Sequence, residues 1–354
     1  MIKKETLTKD WIQQVCKKNR NADPILVEKV IRALFLVEGL AKTDLSFVFK
    51  GGTALMLLMD SAKRLSIDID IILFKSPKNL DAILEGVAKE QHFNKIELQH
   101  RATESDIEKA HYKFYYTPVH NTGKVEEYIL LDILFEDNNY KNISPFKIKS
   151  QFLISSANPV EVKMPSFADL LGDKLTAFAP YTTGIPYFKH DNSMSMEIIK
   201  QLYDIGNLLD VTDDFANVKE TFGKIVKTEI AYRKLKNANA ITVLEDVYQT
   251  ALCITMRGTD GKGNFEELLN GIKRITGYIF SESYHIDKAI IHASKAAYIS
   301  RLIVADKKEI EKFLKPEQIT DWKIDAPHNT KLNKLKKSNP EAFFYWHKAL
   351  ELIK

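Results

Sequence analysis

Only two cysteines, Cys16 and Cys253, occur among the 354 residues. They are too few and too far apart for a disulfide framework or a cysteine-based zinc site, and such scarcity suits a reducing compartment. The nine histidines are scattered without ligand spacing, which argues against a transition-metal centre. No run reaches the ~18 apolar residues of a membrane span, and Met1-Ile2-Lys3-Lys4-Glu5 is not followed by the apolar core of a secretion leader. A cytoplasmic protein without membrane attachment is therefore expected. Charge of one sign is also missing: 51 basic and 47 acidic residues leave a net +4. The excess divides evenly, +2 before Pro165 and +2 from there on, so no strong polyanion surface is visible at this level. With 45% hydrophobic residues and no low-complexity tract, the composition is that of a globular chain long enough for two domains.

Against this plain background one segment stands out. In Arg64-Leu65-Ser66-Ile67-Asp68-Ile69-Asp70-Ile71-Ile72-Leu73, the isoleucines at 67, 69 and 71 alternate with Asp68 and Asp70. On a strand, one face takes the isoleucines and the other takes both carboxylates, roughly 7 Å apart at ~3.3 Å per residue. Like charges held beside a buried face repel unless a cation lies between them, and Mg²⁺ selects oxygen ligands of this kind. Ahead of this strand, Ser46–Lys50 reads as another strand and Thr53–Met59 as a helix with Thr53 as N-cap. The Gly51-Gly52 turn between them aims backbone N–H groups at an anion, reinforced by the helix N-terminus. Phosphate is the anion this favours. Asp132 is the lone charge in Glu127-Tyr128-Ile129-Leu130-Leu131-Asp132-Ile133-Leu134-Phe135. Such a carboxylate needs a partner; it is either a third metal ligand and candidate general base, or a strand-end aspartate bonded to nearby backbone.

The remaining patterns divide the chain. Pro24–Leu40 has helical apolar spacing, Asn79–Glu90 reads as a helix, and Lys95–His100, Tyr112–Thr117 and Glu127–Phe135 read as strands. From Ser166, which with Asp169 resembles a capping box, the periods turn helical: Met194–Leu209, Val218–Arg233, Ile241–Met256 and Phe265–Ile279. An α+β fold is expected, with an α/β core with a mixed sheet flanked by helices over residues 1–164 and a helical domain over 165–354.

The run from Lys50 to Leu73 resembles the signature of the DNA polymerase β-type nucleotidyltransferase superfamily, a glycine turn followed by Asp-x-Asp. More narrowly, Arg64-x-Ser66-x-Asp68-x-Asp70 is similar to the AbiEii and MenT-like toxin nucleotidyltransferases of abortive-infection and toxin–antitoxin systems. Glu161–Ala177 resembles that family's strand and lysine-bearing helix, and Lys200–Ile205 its following acidic helix. Two positions depart from the pattern: Leu175–Phe188 has no basic residue, and Gln201 stands where an aspartate is usual. The resemblance implies a polymerase β-like core in which Asp68, Asp70 and Asp132 hold Mg²⁺, or Mn²⁺ in its place. It implies that Lys50, Gly51, Gly52, Thr53, Arg64, Ser66 and Lys174 bind the NTP, with Asp204 orienting Lys174. Without it, Lys174 reads as a snorkelling lysine at the edge of an apolar face. The implied reaction is in-line attack of an acceptor hydroxyl on the α-phosphorus with loss of pyrophosphate, the acceptor being the tRNA 3′ end and the control a cognate antitoxin.

A small-molecule or protein acceptor is a second enzymatic possibility, and a non-catalytic partner with a degenerate fold is a third. At the C-terminus, lysines 331, 334, 336, 337, 348 and 354 interleave with Phe343, Phe344, Tyr345 and Trp346. This suits RNA stacking, or equally a helix docked on its neighbours with lysines in water.

Overall fold

The computed structural model describes residues 1–59, 63–99, 109–120 and 123–353. It forms two compact units, Met1–Ser166 with Gly277–Ser283, and Phe167–Thr276 with Tyr284–Lys354. The predicted positions of His100 and Lys354 lie outside the described residues.

The first unit contains α1 (Lys9–Lys18), α2 (Pro24–Ala41), β1 (Phe47–Lys50), α3 (Gly51–Leu58), β2 (Ile69–Leu73), α4 (Leu80–Glu90), β3 (Lys95–Leu98), β4 (Lys109–Tyr116), β5 (Glu127–Phe135), β6 (Ile143–Lys147) and β7 (Glu161–Pro165). Asp23 caps α2 by accepting from Ile25 N at 2.8 Å, and Pro24 suits the first helical position. Five strands form a mixed sheet in the order β1-β2-β5-β4-β3, with β2 and β5 parallel and the other neighbours antiparallel. A long crossover connects β2 and β5, as parallel pairing requires. On one face Ile69, Ile71, Leu131, Ile133, Tyr112 and Phe114 are buried. Helices α2 and α4 cover this face: the Arg32 guanidinium lies 4.7 Å from the Tyr116 ring centroid, and Tyr112 OH donates to Asp81 Oδ1 at 2.7 Å. This apolar side fixes strand register, because a one-residue slip would drive the alternating polar set into the core.

The second unit contains α5 (Phe167–Ala177), the short hairpin β8 (Phe188–Lys189) and β9 (Asn192–Ser193), then α6 (Ser195–Val211), α7 (Phe215–Tyr232), α8 (Ala240–Thr255), α9 (Phe265–Arg274), α10 (Ile286–Val304), α11 (Asn329–Ser338) and α12 (Pro340–Glu351). Asp169 is fully buried and accepts from Asn217 Nδ2 at 3.1 Å and Thr221 Oγ1 at 2.6 Å. It thus ties α5 to α7. No helix among the described residues is long and apolar enough to cross a membrane.

One helix boundary changes, and one open alternative is decided in favour of a docked helix. The helix predicted over Phe265–Ile279 ends at Arg274; one 3₁₀ turn follows, and Gly277–Ser283 joins the first unit. The C-terminal aromatics are unavailable for RNA stacking. Phe343, Phe344, Tyr345 and Trp346 are at most 1% exposed, and Trp346 Nε1 donates to Thr255 Oγ1 at 3.1 Å. Their burial anchors α12, leaving Lys348 to pair with Glu311 at 2.8 Å.

Candidate active site

One rung of the sheet gathers the polar residues of the first unit. Lys50 pairs with Asp70, Asp70 with Asp132, and Asp132 with His111, across β1, β2, β5 and β4. Partners in adjacent strands share a face and lie ~4.8 Å apart along the hydrogen-bonding direction. Asp132 therefore stands beside Asp70, and it is half-buried. Its Oδ1 lies 2.6 Å from His111 Nδ1. An ionised carboxylate only accepts, so the imidazole N–H is the donor. Sequence spacing conceals this contact because cross-strand pairing joins positions 21 residues apart.

The glycine turn closes over the same rung. Gly51 has φ +80°, in the left-handed region, and a Cβ there would fall 2.1 Å from Asp70 Oδ2. At Gly52 a Cβ would fall 2.6 Å from Ser66 Oγ and 2.8 Å from Arg64 Nη2. Both glycines thus leave room that a carboxylate, a hydroxyl and a guanidinium occupy. Helix α3 begins at Gly51 with Lys50 as N-cap, whose own side chain makes no cap bond. The N–H groups of a helix's first turn favour an anion.

Thr53 is not the N-cap that the sequence predicts. It is fully buried inside the first turn, and its hydroxyl donates to Asp68 O at 2.6 Å. This bond fastens α3 to the extended segment before β2, where Asp68 is exposed and Ser66 half-buried. Ser66 and Asp68 precede the strand, which begins at Ile69. Arg64 is buried, donates through Nη1 to Leu65 O at 3.1 Å and forms a β-bridge with Ile279. Leu65 N donates to Tyr278 O and Ser281 Oγ to Lys63 O, each at 2.8 Å. The returning 277–283 segment thereby holds the arginine-bearing stretch in place.

Asp68, Asp70 and Asp132 offer hard oxygen donors, which fit Mg²⁺ or Mn²⁺ rather than a soft metal. Among the described residues no three His, Cys, Asp or Glu side chains converge into a ready metal cluster. Mg²⁺ seldom needs one, since it is commonly bound by one or two carboxylates with substrate phosphates. The residues present therefore fit a metal–nucleotide complex.

In the second unit Lys174 is 7% exposed, with Nζ 3.1 Å from Asp204 Oδ2 and 2.9 Å from Gln201 Oε1. Asp204 itself is 2% exposed. A snorkelling lysine keeps its ammonium in water, so that description does not apply here. Gln201, which replaces the family's usual aspartate, serves as an acceptor for the lysine. Lys200 lies 3.9 Å from Glu197.

A family model described as nucleotidyl transferase AbiEii toxin, Type IV TA system, matches residues 34–270. Among solved structures, JHP933 from Helicobacter pylori is 16% identical, with 79% of this chain and 92% of that chain covered and a TM-score of 0.42. MenT4, a nucleotidyltransferase toxin from Mycobacterium tuberculosis, is 14% identical, with 68% and 77% covered and a TM-score of 0.46. No curated protein matches.

Two substitutions probe the rung. Gly51→Ala forces a side chain into positive φ, about 1–3 kcal/mol of strain, and displaces the Asp70 carboxylate; nucleotidyl transfer should be lost. Gly86→Ala, where nothing lies within 4 Å of the new methyl, should be fully active in the same assay. His111→Ala frees Asp132 and should lower transfer about 10–100-fold, the usual effect of removing a group that orients a ligand. Equal rates for His111→Ala and wild type would show that Asp132 needs no orientation.

Proposed function

The chain belongs to the AbiEii nucleotidyltransferase toxin family, and from that premise we propose that it transfers NMP from an NTP to the 3′ end of tRNA in a Mg²⁺-dependent reaction. A cognate antitoxin controls it, and the cytosol, which holds NTPs and tRNA, is where it acts. The observation that best supports the reaction is the Lys50–Asp70–Asp132–His111 rung beneath the Gly51-Gly52 turn.

In this proposal the amides of Gly51, Gly52 and Thr53 bind the β- and γ-phosphates at the start of α3. Thr53 contributes only its backbone, because its hydroxyl is occupied by Asp68 O. Arg64 and Lys50 add positive charge, and Ser66 donates a hydroxyl hydrogen bond. Asp68, Asp70 and Asp132 hold the divalent ion, which when bound neutralises charge developing on the phosphates. Asp132, with Oδ1 fixed by His111, accepts the proton of the attacking hydroxyl on Oδ2. The hydroxyl oxygen bonds to the α-phosphorus as the bond to the pyrophosphate oxygen breaks. In the second unit Lys174, whose ammonium donates to Asp204 and Gln201, is the lysine that corresponds to the family's motif lysine.

Purified protein incubated with each α-labelled NTP, Mg²⁺ and total cellular RNA should label an RNA of tRNA size at its 3′ end. Asp70→Asn, which keeps the side-chain volume, should abolish labelling without altering the fold seen by circular dichroism. Label appearing instead on a protein or a small molecule would overturn the tRNA assignment. Undiminished transfer by Asp70→Asn would overturn the site.

A further inference from the structure

The face carrying the rung extends along the sheet away from the glycine turn. Two residues back from the rung, Leu130 of β5 pairs with Lys113 of β4, which pairs with Glu97 of β3. Two residues further, Tyr128 pairs with Tyr115, and Tyr115 with Lys95. Because strand side chains alternate, these residues share the face of Asp132 and His111, opposite the face buried by α2 and α4.

Tyr128 is 40% exposed, and its ring centroid lies 5.8 Å from that of Tyr115 at an interplanar angle of 57°. An ammonium group lies by each ring: Lys113 is 4.7 Å from the Tyr128 centroid, and Lys95 is 4.5 Å from that of Tyr115. Tyr115 OH donates to Glu97 Oε2 at 2.8 Å, which sets the ring's position before any ligand arrives. Unlike the buried rings of the C-terminal helices, Tyr128 is exposed on its sheet face.

We infer that this face binds the acceptor: the last bases of a single-stranded RNA end stack on Tyr128 and Tyr115, and Lys95 and Lys113 meet the phosphates. The terminal hydroxyl then reaches Asp132, four residues further along β5, or ~13 Å at ~3.3 Å per residue. That separation suits a few nucleotides. Every base has a π-face, so stacking tolerates sequence while the lysines follow the backbone. Glu126 holds Lys95 at 2.9 Å, and Glu97 stands beside Lys113 in the β3–β4 pairing. These carboxylates limit the net positive charge, so the face favours a short single-stranded end held by stacking over a duplex held by many phosphate contacts.

The inference rests on RNA being the acceptor, and two measurements separate the claims. Fluorescence anisotropy with a labelled oligoribonucleotide of about ten nucleotides reads the surface without catalysis, and label transfer to RNA by the wild type reads the acceptor. The Tyr115→Ala/Tyr128→Ala double variant should bind the oligonucleotide at least about tenfold more weakly. Its NTP affinity and thermal unfolding should match wild type, and Tyr115→Phe/Tyr128→Phe, which keeps both π-faces, should restore RNA binding to within about threefold. Unchanged RNA affinity in the alanine variant, while the wild type still labels RNA, would overturn the platform alone. A wild type that neither binds nor labels RNA would overturn both claims. Loss of binding to a partner protein with RNA affinity intact would make the face a protein interface and overturn the inference.

Discussion

Repulsion between Asp70 and Asp132 is the constraint around which the first unit is organised. Two carboxylates about 5 Å apart repel by about 3 kcal/mol at an effective dielectric of ~20. The apolar face makes this arrangement unavoidable: Ile69, Ile71, Leu131 and Ile133 are all fully buried, and their burial fixes the β2–β5 register that sets the two aspartates side by side. Lys50 and His111 flank the pair in the same rung and offset part of the repulsion. In the proposed reaction a divalent cation bound with the nucleotide would offset the remainder.

The turn, the arginine segment and the return segment all support this arrangement. Gly51 admits the Asp70 carboxylate where any other residue would exclude it. Thr53 gives up its hydroxyl to hold the Asp68 backbone, and the Tyr278 and Ser281 contacts hold the stretch around Arg64. Lys174 and Asp204 form a buried ion pair in the second unit. Such pairs contribute little net stability, yet removing one partner leaves an uncompensated charge that costs about 3–5 kcal/mol. Fold must therefore be checked before any loss of activity in a Lys174 variant is assigned to catalysis.

Much of this was legible in the sequence because it depends on short periods. Alternation around Asp70, the lone charge of Asp132, and the helical spacing of Pro24–Leu40 are local patterns that strands and helices convert directly into faces, whereas Asp68, expected on the same strand face as Asp70, precedes the strand. What stayed hidden depends on pairing across distance. His111 reaches Asp132 only through the β4–β5 register, and Gly277–Ser283 joins the first unit only after the helices have turned the chain back. The aromatics of α12 left two readings open, since basic residues interleaved with rings look alike whether the rings stack on a ligand or fill a core. Burial decides between them, and composition does not report it. Thr53 was misread because threonine before an apolar run ordinarily caps a helix, whereas here positive φ at Gly51 starts the helix two residues earlier.

That the Asp70–Asp132 pair is the cation site of the nucleotide complex can be tested most directly with Mn²⁺, whose binding is read by electron paramagnetic resonance. In the presence of a non-hydrolysable NTP analogue, the wild type should bind Mn²⁺ tightly, and Asp70→Asn/Asp132→Asn should lose that binding while remaining folded. Equal Mn²⁺ binding by the double variant would contradict the assignment, because the carboxylates that the sheet forces together would then serve some other purpose.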